Sequence, residues 1–188
     1  MKLKLHTIQF VTISLLIAAA RCAGAPAPPP PITGTVTFEG SGASLTPGEG
    51  WARYDPPAGA GIFLRDGTAC PPIIAGESGM LSVSLREKQH SSLEAMAANV
   101  RGEYDRSASA EKRSFRREKF VTEGGLRGLH VSYVQRNVQP DGRATKTRCH
   151  HYLVIRPDGR GVDIAYLVNA ERDSKAAHQM IRKSLSLQ

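Results

Sequence analysis

The side chains best suited to metal binding or nucleophilic chemistry cluster in one short segment of this sequence. Cys149, His150 and His151 are consecutive, and His130 precedes them in a neighbouring stretch of alternating apolar residues. Adjacent strand residues point to opposite faces of a sheet, so His150 and His151 are not expected to share an ion. Cys149 and His151 do share a face, and His130 could join them as a third metal ligand. The alternative is a row of polar strand residues beside a disulfide cysteine, and we assign no metal ligand from the sequence.

Sequence motifs of covalent catalysis and phosphate binding are absent. Gly76-Glu77-Ser78-Gly79 departs from the Gly-x-Ser-x-Gly nucleophile elbow, because Met80 stands where the second glycine is required. A glycine-rich loop followed by Lys-Ser or Lys-Thr is also missing. The sequence therefore predicts a protein that is not an enzyme, with no catalytic residues and no cofactor. A hydrolase with a dispersed site is the last of the alternatives.

A basic excess runs through the chain of 188 residues, which carries 25 Lys and Arg against 17 Asp and Glu. This length corresponds to one domain, and a mean hydropathy of −0.29 excludes a polytopic membrane protein. Part of the excess forms a candidate interaction patch, composed of Lys112, Arg113, Arg116, Arg117 and Lys119. Few aromatic residues accompany these cations, which argues against nucleic acid. The patch predicts a protein partner or an anionic membrane surface, with a solvated connector as the alternative.

The N-terminal segment has the layout of a secretory signal peptide. Lys2 and Lys4 precede an apolar run from Phe10 to Ala20, which is too short to span a bilayer. We therefore predict a signal peptide over residues 1–25, removed by cleavage after Ala25. The protein is then exported to the periplasm.

A lipid anchor is the second outcome that the same segment allows. Ala19-Ala20-Arg21-Cys22 resembles a bacterial lipoprotein box, although Arg21 stands where a small residue is usual. Cys22 is thus a candidate lipidation site, which would make the protein a membrane-anchored lipoprotein facing the periplasm. Residues 26–35 begin with a Pro-rich run that predicts a semi-rigid spacer. A single domain follows over residues 36–188.

Export also changes how the remaining cysteines are interpreted. Once Cys22 is removed or lipidated, Cys70 and Cys149 form an even pair in a compartment where disulfides persist. They are the candidate disulfide. The alternative is two unpaired buried thiols that behave as small apolar groups.

Two Asp-Gly turns organise the C-terminal half. Pro140-Asp141-Gly142-Arg143 and Pro157-Asp158-Gly159-Arg160 separate segments that alternate apolar and polar residues. Asp-Gly favours tight hairpins, so the pattern predicts a three-stranded antiparallel meander with one face buried. Further strands are predicted around Leu81–Leu85 and from Ser114 to Thr122.

Two amphipathic helices complete the predicted domain. A capping box at Ser91-Ser92-Leu93-Glu94 predicts the start of the first helix. The second helix should begin near Asp173 or Ser174 and bury four apolar residues, Ala177, Met180, Ile181 and Leu185. The order of elements predicts an α+β fold, in which helices pack on an antiparallel meander.

Three sequence features resemble the PsbP-like superfamily. They are the Gly50-Trp51 pair near the start of the domain, the segment from Gly124 to Gly128, and Met180-Ile181-Arg182-Lys183-Ser184 at its end. The resemblance covers residues 36–188 and implies an α/β/α sandwich. Members of this superfamily, which include extrinsic photosystem II subunits and DcrB-type envelope lipoproteins, mostly bind or support other proteins. The resemblance therefore implies a non-enzymatic accessory module in the cell envelope, with an envelope ligand- or metal-binding protein as the alternative.

The mature N-terminus of the exported protein tests these assignments. We expect intact-mass measurement to find a chain that begins at Pro26 or one that begins at a lipidated Cys22. Under non-reducing conditions, the Cys70–Cys149 bond would lower the mass by two hydrogens relative to the reduced chain. An exported chain that keeps residues 1–25 unmodified would contradict the signal-peptide prediction.

Overall fold

A computed structural model describes residues 31–38, 40–54, 73–76, 79–86, 92–138 and 142–187 of the chain. Within these ranges the chain forms ten strands and two helices. The strands in chain order are β1 (Val36–Phe38), β2 (Ala43–Leu45), β3 (Ala52–Tyr54), β4 (Ile73–Gly76), β5 (Gly79–Arg86), β6 (Arg116–Val121), β7 (Arg127–Val138), β8 (Ala144–Ile155), β9 (Gly161–Asn169) and β10 (Ser186–Leu187). The helices are α1 (Leu93–Arg106) and α2 (Lys175–Ser184).

Several of the predicted features lie outside the described residues. These are the signal peptide with Cys22, the spacer up to residue 30, Cys70, and the first two residues of the Pro140-Asp141-Gly142-Arg143 turn. The helices within the described ranges are too short or too polar to cross a membrane.

Seven strands form one antiparallel sheet in the order β3-β4-β5-β9-β8-β7-β6. Its longest part is the meander β7–β8–β9, which confirms the prediction from the two Asp-Gly turns. In the second turn, Gly159 adopts a φ of 82° and donates its N–H to the Arg156 carbonyl oxygen at 2.9 Å. Glycine adopts this positive φ without a Cβ clash, and the turn therefore closes tightly.

Both faces of the meander are covered, whereas the alternating pattern predicted one buried face. Helix α1 packs on the first face, where its side chains contact Leu129, Val131 and Leu153. Helix α2 and the small antiparallel sheet β1–β2–β10 cover the opposite face. The polar positions His130 and Ser132 are consequently buried as well, because a second layer lies over the face that they share. The observed α+β arrangement, with a helix on each side of the sheet, agrees with the predicted fold class.

The helix starts differ in how well the sequence predicted them. Ser174 caps α2 by accepting a hydrogen bond from the Ala177 N–H at 3.4 Å, as expected. Ser92 caps α1 and accepts from the Ala95 N–H at 3.1 Å. Since Ala95 occupies the third helical position, Glu94 lies one position too early to complete the predicted capping box. Its carboxylate instead pairs with Arg117.

Helix α2 buries an apolar stripe against the sheet. Ala177, Ile181 and Leu185 are buried as predicted, while Met180 is only half-buried at the edge of the contact. They join a core that includes Phe38, Leu45, Tyr152, Ile164 and Tyr166. Burial of such side chains stabilises the fold by about 1.5–3 kcal/mol each relative to exposure. This packing fixes the position of α2 over β7 and β8.

Gly128 at the start of β7 tests how closely β6, β7 and β8 pack. A Cβ at this position would lie 2.5 Å from the Leu153 carbonyl oxygen and 2.5 Å from the Phe120 ring. We expect Gly128→Ala to lower the free energy of unfolding by about 1–3 kcal/mol, because the added methyl group overpacks the sheet. Urea denaturation measures the change.

Gly48→Ala is the matched control for this substitution. A Cβ at Gly48 would have nothing within 4 Å. We expect its unfolding free energy to stay within about 0.5 kcal/mol of the wild type. Equal effects of the two alanines would contradict the packing described for Gly128.

Candidate functional site

Three histidines from different elements converge on the α2 face of the sheet. His130 lies on β7, His150 on β8 and His178 on α2. The pairing of His130 with Tyr152 and of Ser132 with His150 makes the first two histidines diagonal neighbours on one face. Helix α2 brings the third histidine over them. One ring nitrogen from each lies within 4.8 Å of the others, and we call this group the histidine centre.

A continuous chain of polar contacts runs through His130 and His150. His130 Nδ1 lies 3.0 Å from Glu118 Oε1, and His130 Nε2 lies 2.9 Å from His150 Nδ1. His150 Nε2 then lies 3.2 Å from Asp173 Oδ2. Two neighbouring imidazoles are therefore held between two carboxylates.

The same aspartate connects the chain to α2. Its second oxygen, Asp173 Oδ1, lies 2.8 Å from His178 Nε2. His178 Nδ1 in turn hydrogen-bonds with the hydroxyl of Tyr152. The Tyr152 ring stacks on His130 with a centroid distance of 4.5 Å and an interplanar angle of 8°. These contacts fix the orientation of all three imidazole rings.

Burial determines the charge state at the centre. Desolvation lowers the pKa of His130, and it lowers the pKa of His150 to about 3. Both rings are therefore neutral at physiological pH, and each has one nitrogen lone pair. The hydrogen bond with His130 lowers the pKa of Glu118, and the positive charge of Arg182 adds to this effect. Glu118 is thus a carboxylate.

Each of the two carboxylates also pairs with an arginine. Arg182 Nη2 is 2.6 Å from Glu118 Oε1, and Arg148 Nε is 3.2 Å from Asp173 Oδ2. The positive charge of Arg182 favours the ionised form of Glu118. The three imidazoles thus lie beside two carboxylates, each of which pairs with an arginine.

Tyr166 lies beside the centre on β9. Its ring centroid is 5.7 Å from that of His150 and 5.8 Å from that of His178. Its hydroxyl is buried without a hydrogen-bond partner among the described residues, and burial raises its pKa to about 12. The Tyr152 and Tyr166 hydroxyls thus differ, because within the described part of the chain only the first has a partner.

The metal set suggested by the sequence is wrong. The register pairs Val131 with His151 and Tyr133 with Cys149, which places both of these β8 residues on the α1 face. His130 lies on the opposite face, so the sheet separates it from Cys149 and His151. His151 Nδ1 instead contacts the buried carboxylate of Asp163 at 3.0 Å.

Cys149 carries a free, buried thiol in the structure. Burial raises the pKa of this thiol to about 12. Its candidate disulfide partner Cys70 lies outside the described residues, so the pairing stays a prediction.

The predicted interaction patch divides between two faces. Strand β6 alternates its side chains, and Arg117 contacts Glu94 of α1 at 3.4 Å. The other side borders a groove of about 360 Å³, which we call the cationic groove. Its lining consists of Glu111, Lys112, Arg113, Ser114, Arg116, Val134, Lys146, Arg148 and Ala170. Lys119 shares the Arg117 side of the strand and does not line the groove.

No sequence motif indicated His178, Asp173 or the pairing of His130 with His150 as parts of a site. The Asp141-Gly142 turn between β7 and β8 could have revealed part of this site, because the register of that hairpin places His130 and His150 on one face. Their association with α2 had no local signal, because it depends on where that helix packs.

Among comparisons with known proteins, only the comparison of structures gives a match. No protein-family model and no curated protein matches the sequence. Among solved structures, the chain is similar to the solution structure of cyanobacterial PsbP (CyanoP) from Synechocystis sp. PCC 6803. The identity is 9%, the TM-score is 0.46, and the match covers 82% of this chain and 91% of that chain. No residue role is transferred from this similarity.

Paired tyrosine substitutions test the polar network. We expect Tyr152→Phe to lower the free energy of unfolding by about 1 kcal/mol, because His178 Nδ1 loses its partner. Tyr166→Phe removes a buried hydroxyl that has no partner among the described residues, so stability should stay unchanged or rise. Chemical denaturation compares the two variants. The network described here is contradicted when Tyr166→Phe is the more destabilising change.

Proposed function

We propose that this protein is an exported, non-catalytic accessory module of the cell envelope that binds an acidic segment of a protein partner. The observation that carries the proposal is the cationic groove. Export rests on the sequence of residues 1–25, and the accessory role agrees with the PsbP-like resemblance in fold.

The loop at the mouth of the groove is held in place by hydrogen bonds. Arg116 Nη1 donates to the carbonyl oxygens of Arg113 at 2.8 Å and Phe115 at 3.0 Å. Ser114 Oγ accepts from the Val134 N–H at 3.0 Å, and the Glu111 N–H donates to the Val134 carbonyl oxygen at 2.8 Å. These bonds tie the loop to β7. The loop backbone that carries Lys112 and Arg113 is therefore ordered before a partner arrives, which reduces the ordering cost of binding.

The charge balance of the groove favours an anionic partner. Its lining contains several cations and one acidic residue, Glu111, which is itself 3.2 Å from Lys146. Lys112, Arg113 and Arg116 are exposed. The carboxylates of an acidic protein segment can pair individually with these cations.

The state of Cys149 supports a non-catalytic role. A nucleophilic cysteine needs a lowered pKa so that the thiolate is present. Burial instead raises the pKa of the Cys149 thiol to about 12. As a free thiol, Cys149 is suited to packing as a small apolar group under α1 rather than to nucleophilic attack.

Charge reversal at the groove tests the proposal. The full-length protein, immobilised and exposed to envelope extract, should capture a specific partner at low salt. Lys112→Glu with Arg113→Glu should reduce that capture about tenfold or more, because like charges then face the acidic segment. Capture by the wild type should also fall as salt is added.

A control with the same change in net charge is available on the other side of the sheet. Lys119→Glu with Arg127→Glu alters two exposed cations outside the groove. We expect this variant to retain capture. The proposal fails when the wild type captures no partner, or when both double variants lose it equally.

A further inference from the structure

We propose that His130, His150 and His178 bind a single divalent transition-metal ion of the zinc class. This site is separate from the cationic groove and does not depend on the proposed function. Three observations carry the inference: the convergence of three ring nitrogens, the carboxylates behind every ring, and a hydrogen-bond count that a cation would complete.

The ligand set suits zinc and its neighbours. Imidazole nitrogen is a preferred ligand for Zn²⁺, Cu²⁺ and Ni²⁺, and three histidines with a further position filled by water form a common arrangement. Zn–N bonds of about 2.0–2.1 Å place tetrahedral nitrogens about 3.3 Å apart. His130 Nε2 and His150 Nδ1 are 2.9 Å apart, and all three nitrogens lie within 4.8 Å. Small rotations of the rings, with the ion replacing the Tyr152 hydroxyl at His178 Nδ1, would therefore seat an ion between them.

Each ring also has a carboxylate behind it. Glu118 lies 3.0 Å from His130 Nδ1, and Asp173 lies 3.2 Å from His150 Nε2 and 2.8 Å from His178 Nε2. A metal-binding histidine usually donates its outer N–H to a carboxylate or carbonyl, which orients the ring and makes the inner nitrogen a better ligand. A set of three histidines that all have this support is typical of a metal centre.

The chain of contacts from Glu118 to Asp173 requires one more hydrogen than two neutral imidazole rings provide. The chain Glu118–His130–His150–Asp173 contains three polar contacts, but two neutral imidazoles have only two ring hydrogens. One contact then joins two acceptors. If a cation lies between the inner nitrogens, both rings can donate their outer hydrogens to the carboxylates, and every contact is satisfied.

A metal ion completes this arrangement better than an added proton does. A metal ion can bond to one ring nitrogen of all three histidines, whereas a proton would join only His130 Nε2 and His150 Nδ1. Metal–nitrogen bonds compensate for the desolvation of the ion. His178 remains 21% exposed, so an ion can reach the centre from the α2 side.

Metal binding to the full-length protein tests the inference. In equilibrium dialysis with Zn²⁺, we expect one tightly bound ion per chain. Co²⁺ should give the visible absorption of a nitrogen-rich tetrahedral site. His178→Gln should weaken Zn²⁺ binding by about 100-fold or more, and Asp173→Asn by about 10–100-fold, because it removes only the outer support.

Two control variants test whether loss of zinc binding is specific to substitutions in the histidine centre. His151→Gln replaces a buried histidine on the opposite face of the same strand, and Asp158→Asn replaces an exposed turn carboxylate. Both should bind Zn²⁺ as the wild type does. The groove variant with Lys112→Glu and Arg113→Glu should also keep its zinc, so failure of one proposal is distinguishable from failure of the other.

Thermal unfolding shows whether each variant is folded. Zn²⁺ should raise the Tm of the wild type, because a ligand that binds the native state stabilises it, and the rise should disappear in His178→Gln. The inference is overturned if the wild type binds neither Zn²⁺ nor Co²⁺. It is also overturned if a folded His178→Gln protein binds Zn²⁺ as tightly as the wild type, or if His151→Gln loses binding to the same extent.

Discussion

The antiparallel pairing of β7 with β8 is the constraint on which the rest of the structure depends. It places Leu129 opposite Leu153 and His130 opposite Tyr152, so that the two strands present an apolar surface to α1 and a mixed polar and aromatic surface to α2. A slip of one residue in either strand would send its side chains to the other face. The core under α1 and the histidine centre under α2 are therefore consequences of one register.

Burial of the α2 face makes its polar groups depend on one another. An imidazole or carboxylate removed from water destabilises the fold unless hydrogen bonds replace the lost hydration. Asp173 supplies two of these contacts and pairs with Arg148, a residue that also lines the cationic groove. The two proposed sites thus lie side by side and share one arginine. Arg148 therefore borders the groove on one side and contacts Asp173 of the histidine centre on the other.

Much of the fold was predictable because its signals are local. Alternation of side chains and the two Asp-Gly turns predicted the meander, and Ser174 with its apolar stripe predicted α2. The alternating pattern did not predict that the second face of the meander is covered, although the α/β/α sandwich implied by the PsbP-like resemblance has layers on both faces. Polar residues such as His130 and Ser132 normally indicate a solvated face, and only the packing of α2 and the small sheet reverses that expectation.

Some features of the candidate site follow from the sequence, and others follow only from tertiary packing. The sequence by itself determined which residues share a strand face, because backbone hydrogen bonding imposes a period of two on every strand. It could not determine that His178 and Asp173 of the α2 region lie over His130 and His150. Nor could it determine which side of β6 borders the groove. Both outcomes depend on how distant elements pack, and that packing follows from burial of apolar side chains throughout the domain rather than from any local pattern.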